Sequence, residues 1–313
     1  MISVVVPLYN EEEVILESYK QLKEVLENSG EVYELIFVND GSRDKTWFMA
    51  TELAEKDKKL KLLTFSRNFG HQTAITAGMD YATGDAVVVI DADLQDPPRV
   101  ILDMVAKWKE GYEVVYGRRL KRKGETLFKK LTAKLFYRTI NAMTDVDIPV
   151  DAGDFRLLDR QVVDALKTLP ERNRYVRGLV SWVGFKQTGV EYVREERFAG
   201  ETKYPLKKML KLAGDAITTF SYKPLKLSIY IGCILAILSF LFMVFILVQR
   251  IFFPETIVLS GWASLAALIL FFNGITMLML GIIGEYIGRI YDESKGRPQY
   301  IIARTVNFTQ EEK

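Results

Sequence analysis

The chain has 313 residues, 49% of them hydrophobic and 26% charged, with 42 lysines and arginines against 40 aspartates and glutamates. That length and apolarity exclude a disordered chain and leave room for one sizeable domain plus further elements. A single cysteine, Cys233, excludes an intramolecular disulfide, no Cys/His cluster suits zinc, and the N-terminus lacks the long apolar stretch of a signal peptide.

In chain order, Ile2–Val6, Tyr33–Val38, Leu60–Phe65, Ala86–Ile90 and Glu113–Tyr116 are short β-branched or aromatic runs that read as strands. Helix-like stretches separate them, such as Glu12–Asn28, where Val14, Tyr19, Leu22, Val25 and Leu26 share a face. The alternation predicts an α/β fold over residues 1–120, a mainly parallel sheet wrapped by helices. Polar clusters follow the first four strands: Pro7-Leu8-Tyr9-Asn10-Glu11, Asn39-Asp40-Gly41-Ser42, Ser66-Arg67-Asn68 and Asp91-Ala92-Asp93-Leu94-Gln95-Asp96-Pro97-Pro98. Any one of them is ordinary turn chemistry. In an open parallel sheet, however, these strand ends share one edge, so the four converge on one crevice.

Neither a GxxxxGK[ST] phosphate loop nor a GxGxxG fingerprint follows the first strand, which disfavours ATPases and nicotinamide enzymes. Asp91 and Asp93 lie one residue apart just past the fourth strand, and strand alternation would send both to one side. There they can hold one hard cation, Mg2+ or Mn2+, which shares its remaining sites with water and substrate phosphate. Bridging a diphosphate, such an ion neutralises charge that grows as a nucleotide leaves. The competing reading makes the two acids caps for a helix beginning near Pro97.

From Gly117 to Arg138 there are nine basic residues and one acid, with Leu127, Leu131 and Leu135 on one face and Lys130, Lys134 and Arg138 on another. This predicts an amphipathic helix on an anionic bilayer. A second begins at Pro205, with Leu206, Met209, Leu210, Ala213, Ile217 and Phe220 opposed to Lys207, Lys208 and Lys211. Residues 121–222 therefore read as a membrane-surface part. Leu227–Val248 and Thr256–Gly284 follow, uncharged runs of 22 and 29 residues. Either suffices for a hydrocarbon core, which needs about 20 apolar residues. Residues 223–290 are thus expected to form two transmembrane helices. Lys223 and Lys226 before them, and Arg289, Lys295 and Arg297 after, put both chain ends in the cytoplasm of a multi-pass inner-membrane protein. Gly281, Gly284 and Gly288 would permit homo-oligomer packing. Residues 291–313 read as a cytoplasmic tail, polar and mobile from Thr305 onward. The basic stretches fit nucleic acid poorly beside such an anchor.

The strings Val5–Glu11, Val38–Ser42 and Asp91–Pro98 resemble those of family 2 glycosyltransferases with the GT-A fold. The resemblance covers essentially the whole chain. It is to the branch with two C-terminal membrane helices, the polyprenyl-phosphate glucosyltransferases and dolichyl-phosphate mannose synthase relatives. It implies that Pro7, Tyr9, Asn10 and Glu11 line a nucleotide-sugar pocket, with Ser42 and Ala92 in the same strings. Asp40 would read the base edge and Arg67 would meet the diphosphate. Asp91 and Asp93 match the DXD metal motif, with Gln95 a further ligand. Val150–Leu157 resembles the acceptor loop carrying a second catalytic aspartate, Asp154, and Gly200–Tyr204 the segment before the membrane.

The resemblance implies inverting transfer of a hexose from a UDP-sugar to a polyprenyl (undecaprenyl) phosphate on the cytoplasmic leaflet. A phosphate monoester has its second pKa at about 6, so a base has little to remove. Asp154 is therefore expected to orient the substrates, while Arg118, Arg156 and Lys203 hold the acceptor phosphate. His71, the only histidine, reads as structural. A processive polysaccharide synthase of the same fold is disfavoured by the lack of a Gln-x-x-Arg-Trp sequence, and a non-catalytic scaffold by the presence of Asp91 and Asp93.

Overall fold

The structure is a computed structural model that describes residues 1–120, 149, 152–172, 174–195, 221, 223–252 and 262–309. The basic helix expected after residue 120, the amphipathic helix from Pro205 to Phe220, and Lys203 lie outside the described residues. The chain forms two compact units: Met1–Ala216 together with Arg297–Lys313, and Ile217–Gly296.

In the first unit, β1 (Ile2–Leu8), β2 (Tyr33–Asn39), β3 (Leu60–Phe65) and β4 (Ala86–Val89) pair in parallel in the order β4-β1-β2-β3. β1, β2 and β4 are buried throughout, as suits strands covered on both faces. Val4 and Val6 face α1 (Ile15–Asn28), α2 (Thr46–Lys56) and α4 (Val100–Lys109) within one apolar cluster. Val5 faces the other way, against α3 (His71–Tyr81). There Gly78 leaves no room, since a Cβ on it would stand 2.1 Å from Val5 Cγ1.

The sheet is mixed rather than continued in parallel. β5 (Val114–Arg119) does not join β4 directly, because β6 (Ala152–Asp159) runs antiparallel between them. β7 (Gln187–Tyr192) pairs in parallel with β5. Helices α5 (Arg160–Thr168) and α6 (Val176–Trp182) connect β6 to β7. The opposite edge corrects the expectation of a mobile tail. Ile302–Val306 forms β8, antiparallel to β3. Beyond it, Asn307 donates its amide to the carbonyls of Ala54, Leu60 and Asp57 at 2.6, 2.8 and 3.2 Å.

The second unit contains α7 (Lys223–Phe252) and α8 (Trp262–Ser294). Among the described residues one segment is long and apolar enough to cross a membrane, Leu268–Ser294 in α8, with mean hydropathy 1.9. Ser228–Phe242 in α7 is a shorter apolar stretch. Of the two spans expected over residues 223–290, one meets that length and apolarity among the described residues, and it runs past the uncharged stretch that ends at Gly284. A Cβ at Gly281, Gly284 or Gly288 would meet none of the described residues within 4 Å.

Candidate active site

β1 continues sideways to β2 in one direction and to β4 in the other, so the strand order reverses at β1. Ligands of open α/β sheets bind where such a reversal opens a crevice beyond the carboxyl ends of the strands. Pro7, Tyr9, Asn10 and Glu11 stand at the end of β1 and Asp91 just beyond the end of β4. Tyr9 is 37% exposed there.

The nucleotide-side residues are joined by short polar contacts. The Asn10 N–H donates to Ser42 Oγ at 3.0 Å, Asn10 Oδ1 accepts from the Arg43 N–H at 2.9 Å, and the Glu11 N–H donates to Thr46 Oγ1 at 2.8 Å. Asn10 takes φ 53°, in the left-handed region that asparagine tolerates. Asp40, fully buried, accepts from the Phe69 and Gly70 N–H groups at 2.6 and 2.9 Å and from Asn68 Nδ2 at 2.8 Å. Burial still raises its pKa against those bonds. With about four lone-pair positions on a carboxylate, at most one remains for a base edge. Gly41 makes this junction possible: at φ 63° it lies so close to the next loop that a Cβ would be 2.5 Å from the Arg67 carbonyl carbon. Arg67 itself stacks its guanidinium 4.0 Å from the Phe69 ring centroid and donates to the Asn68 carbonyl.

The acidic string differs in detail from the sequence reading. β4 ends at Val89, and Asp91 to Asp96 form a turn in which Leu94 has φ 57°. Strand alternation therefore does not orient Asp91 and Asp93. Asp93 Oδ1 accepts from the Gln95 N–H at 3.1 Å, an Asx turn that closes the loop, and Ala92 is buried beside it. Asp154 belongs to a strand rather than a loop. β4 and β6 pair Val88 with Leu157 and Val89 with Arg156, and continuing that register two residues sets Asp154 level with Asp91.

His71 at the start of α3 fills the space between them, its Nε2 3.5 Å from Asp91 Oδ1 and 3.4 Å from Asp154 Oδ2. Burial pulls the imidazole down, but Asp91 and Asp154 outweigh it and raise the pKa to about 9. Asp91 is pushed up to about 6, by burial first; His71 opposes this, and the carboxylates of Asp154, Asp93 and Asp96 add to it. Arg177 of α6 holds Asp154 in a fork, Nε to Oδ1 at 2.7 Å and Nη2 to Oδ2 at 2.8 Å, and Gln72 Nε2 reaches Oδ2 at 3.3 Å. Burial would raise the Asp154 pKa, yet Arg177 and His71 together hold it well below the usual carboxylate range.

Crowded acids, with only one imidazole between Asp91 and Asp154, fit a divalent cation. Asp91 Oδ1 is buried and has no hydrogen-bond partner. Among the described residues no group of three or more His, Cys, Asp or Glu side chains could enclose a metal ion.

Of the cations expected for an acceptor phosphate, Arg118 and Arg156 are among the described residues, on the neighbouring strands β5 and β6. Arg118, 57% exposed by side chain, pairs with Glu191 at 3.6 Å. Arg156, 4% exposed, donates Nη2 to the Gly153 carbonyl at 2.9 Å, while its Nε lacks a partner. Burial lowers its pKa to about 10. Sequence reasoning missed Arg177 and Gln72 and undervalued His71. It also passed over Asp96, which is buried and accepts from Tyr192 Oη at 2.5 Å and Arg119 Nη2 at 3.3 Å. A third acid in the Asp91–Asp96 string was a readable signal for Asp96. Nothing marked Arg177, which sits in a seven-residue helix.

The chain matches Glycosyl transferase family 2 over residues 3–167. It belongs to that family. The glycosyltransferase is 62% identical over 303 residues to the uncharacterized glycosyltransferase YkcC of Bacillus subtilis, covering 97% of this chain and 93% of that one. It is 44% identical over 301 residues to the bactoprenol glucosyl transferase of Shigella phage SfV, covering 96% and 97%. Against the crystal structure of glucosyl-3-phosphoglycerate synthase from Mycobacterium tuberculosis with Mn2+, UDP-glucose and phosphoglyceric acid, the TM-score is 0.48 at 21% identity, over 70% of this chain and 78% of that one. The helix-flanked α/β sheet is the GT-A architecture that the resemblance implied.

Proposed function

We propose that this glycosyltransferase moves glucose, with inversion, from UDP-glucose to a polyprenyl phosphate at the cytoplasmic leaflet of the plasma membrane. The observation that carries the reading is the approach of Asp91 and Asp154 to either side of His71 at the crevice where the strand order reverses, with one Asp91 oxygen buried without a hydrogen bond. The relatives named for bactoprenol glucosyl transfer, collinear over nearly the whole chain, support the sugar and the acceptor class.

Asp91 and Asp93, with Gln95, would hold Mg2+ or Mn2+, which supplies Lewis-acid neutralisation of the diphosphate charge. The remaining work falls to the chain. The knitted turns at Asn10, Ser42 and Asp40 shape a rigid nucleotide floor, with Pro7, Tyr9 and Glu11 along its wall and Arg67 at its rim. His71 spans donor and acceptor sides and keeps the two buried carboxylates from repelling each other apart. Arg118, Arg156 and Lys203 supply positive charge to the acceptor phosphate, which attacks the anomeric carbon in line as the nucleoside diphosphate departs.

The apolar unit anchors the enzyme. Ile217–Gly296 lies in sequence between two parts of one compact unit, which supports an even number of crossings, two, through α7 and α8. The test is a membrane assay with radiolabelled UDP-glucose, undecaprenyl phosphate and Mg2+. Label is expected in the organic extract; label that stays in the aqueous phase with UDP-glucose and enters the lipid from a GDP-sugar instead would overturn the donor.

A further inference from the structure

Ser66, Arg67 and Asn68, all exposed, lead from the end of β3 toward α3 along the nucleotide side of the crevice. An exposed loop binds a charged ligand well only when something behind it fixes its shape, since a loose loop must be ordered at the moment of binding. Asp40 gives part of that support, through the N–H groups of Phe69 and Gly70. A second support comes from residues that follow the apolar unit in sequence. Phe65, the buried last residue of β3, meets the Phe69 ring edge-on, 5.6 Å between centroids. It also stacks on Tyr300, at 5.3 Å and 16° between planes. Because Arg67 lays its guanidinium on Phe69, an unbroken row runs from Tyr300 through Phe65 and Phe69 to Arg67.

The backbone follows the same line, with the Ser66 N–H donating to the Ile301 carbonyl at 3.0 Å. Tyr300 is itself tied down. Its Oη donates to Asp80 Oδ2 at 2.9 Å near the end of α3, the helix that begins at His71. Beside it Gln299 Nε2 donates to the Glu171 carbonyl at 2.7 Å. Ring and hydroxyl therefore have separate tasks. The hydroxyl serves Asp80 and fixes where the ring lies; the ring supports Phe65 and Phe69, since aromatic pairs are directional as well as apolar.

We propose that Tyr300 is a positioning residue for the nucleotide-sugar donor: its ring, acting through Phe65 and Phe69, braces the loop over residues 66–70 in the shape that binds the diphosphate. This rests on the transferase reading above. Tyr300 acts through the row of rings and not by touching the donor. A brace of this kind serves the bound donor and the transition state alike, so its loss shows in KM for the donor rather than in kcat.

The experiment measures glucose transfer from UDP-glucose to undecaprenyl phosphate by the full-length enzyme in liposomes with Mg2+. Tyr300→Leu removes the ring and is expected to raise KM for UDP-glucose about tenfold, with kcat changed by no more than about twofold. Tyr300→Phe keeps the stack, so its KM should stay within about twofold of wild type even though loss of the hydrogen bond to Asp80 lowers its melting temperature. Phe69→Leu interrupts the row nearer the site and should raise KM at least as much as Tyr300→Leu, which tests the row even where Tyr300→Leu folds poorly. The double variant should exceed Phe69→Leu by no more than about twofold, because both changes act along one path. A merely structural Tyr300 would reduce the amount of active enzyme and leave KM unmoved in Tyr300→Leu, which overturns the proposal. Wild-type KM in Phe69→Leu, or full multiplication of the two single effects in the double variant, overturns it too. Wild type that does not use UDP-glucose rejects the donor reading and this inference with it, whereas an unmoved KM beside an active wild type rejects the inference alone.

Discussion

Asp91 has one oxygen removed from water and without a hydrogen bond, with three other acids around it and the His71 imidazole 3.5 Å away as the opposing charge, an arrangement that a further cation would stabilise. Asp91→Asn is expected to leave the fold intact by circular dichroism while lowering glucose transfer about 100-fold or more, the scale of a lost Lewis-acid contribution. Turnover of the variant close to wild type would remove the metal role. Glu34 is the contrasting case, a buried acid that is fully satisfied. It accepts from Ser3 Oγ at 2.5 Å and the Thr83 N–H at 2.8 Å, and pairs with Lys61 at 2.8 Å. Burial raises its pKa, but Lys61, Ser3 and Thr83 outweigh it and the net shift is downward. The unfolded chain therefore binds a proton more readily than the folded one. The resulting stability is complete above the unfolded value of about 4.3 and is lost as pH falls through the lower folded value. Denaturant titrations from pH 7 to pH 3 should show this decline, and Glu34→Gln should flatten it at a cost of about 3 kcal/mol at pH 7, where Lys61 is left without its carboxylate.

β8 shows how a strand can depend on a single side chain beyond its end. Asn307 sits at φ 62° and satisfies three carbonyls at the α2–β3 connection. Asn307→Ala loses those bonds and strains the backbone, whereas Asn307→Gly loses the bonds alone. Hydrogen exchange at Leu62–Thr64 and Arg304–Val306 should accelerate in both variants and more in the alanine one, by a further 1 kcal/mol or so in opening free energy. Legibility in the sequence follows the same physics. β1 to β4 are almost wholly buried and mainly apolar, interrupted only by single polar residues such as Ser3, Glu34 and Lys61, so strands and the polar clusters after them could be seen directly. β6 lies in the middle of the sheet yet escaped notice, because Asp154 and Arg156 turn toward the site and interrupt its apolar pattern. β7 and β8 are edge strands with half-exposed polar residues and carry little signal. The Asp-Ala-Asp string marked one acidic side of the crevice. Arg177, the partner of Asp154, did not announce itself, since a lone arginine in a short helix has meaning only once β6 brings Asp154 to it.

For the molecule as a whole, strand pairing constrains membrane topology more tightly than hydropathy does. β8 follows the apolar unit in sequence but is hydrogen-bonded to β3, which precedes it. A bilayer cannot separate two paired strands, so the chain between them must return to the side it left. A single crossing by Leu268–Ser294 would put β8 on the wrong side. On the anchoring proposed above, the 30 residues of α7, a helix about 45 Å long, would supply the compensating crossing, and Lys223 and Lys226 at its start would keep both ends in the cytoplasm. In a Cys233→Ser background, Lys20→Cys in α1 and Arg304→Cys in β8 are both exposed positions. A membrane-impermeant maleimide is expected to label both in inverted vesicles and neither in right-side-out vesicles. Labelling of one but not the other would mean an odd number of crossings, which the β3–β8 pairing forbids. Labelling of both in right-side-out vesicles would keep the parity and reverse the orientation, placing the donor crevice where no cytoplasmic UDP-glucose reaches it.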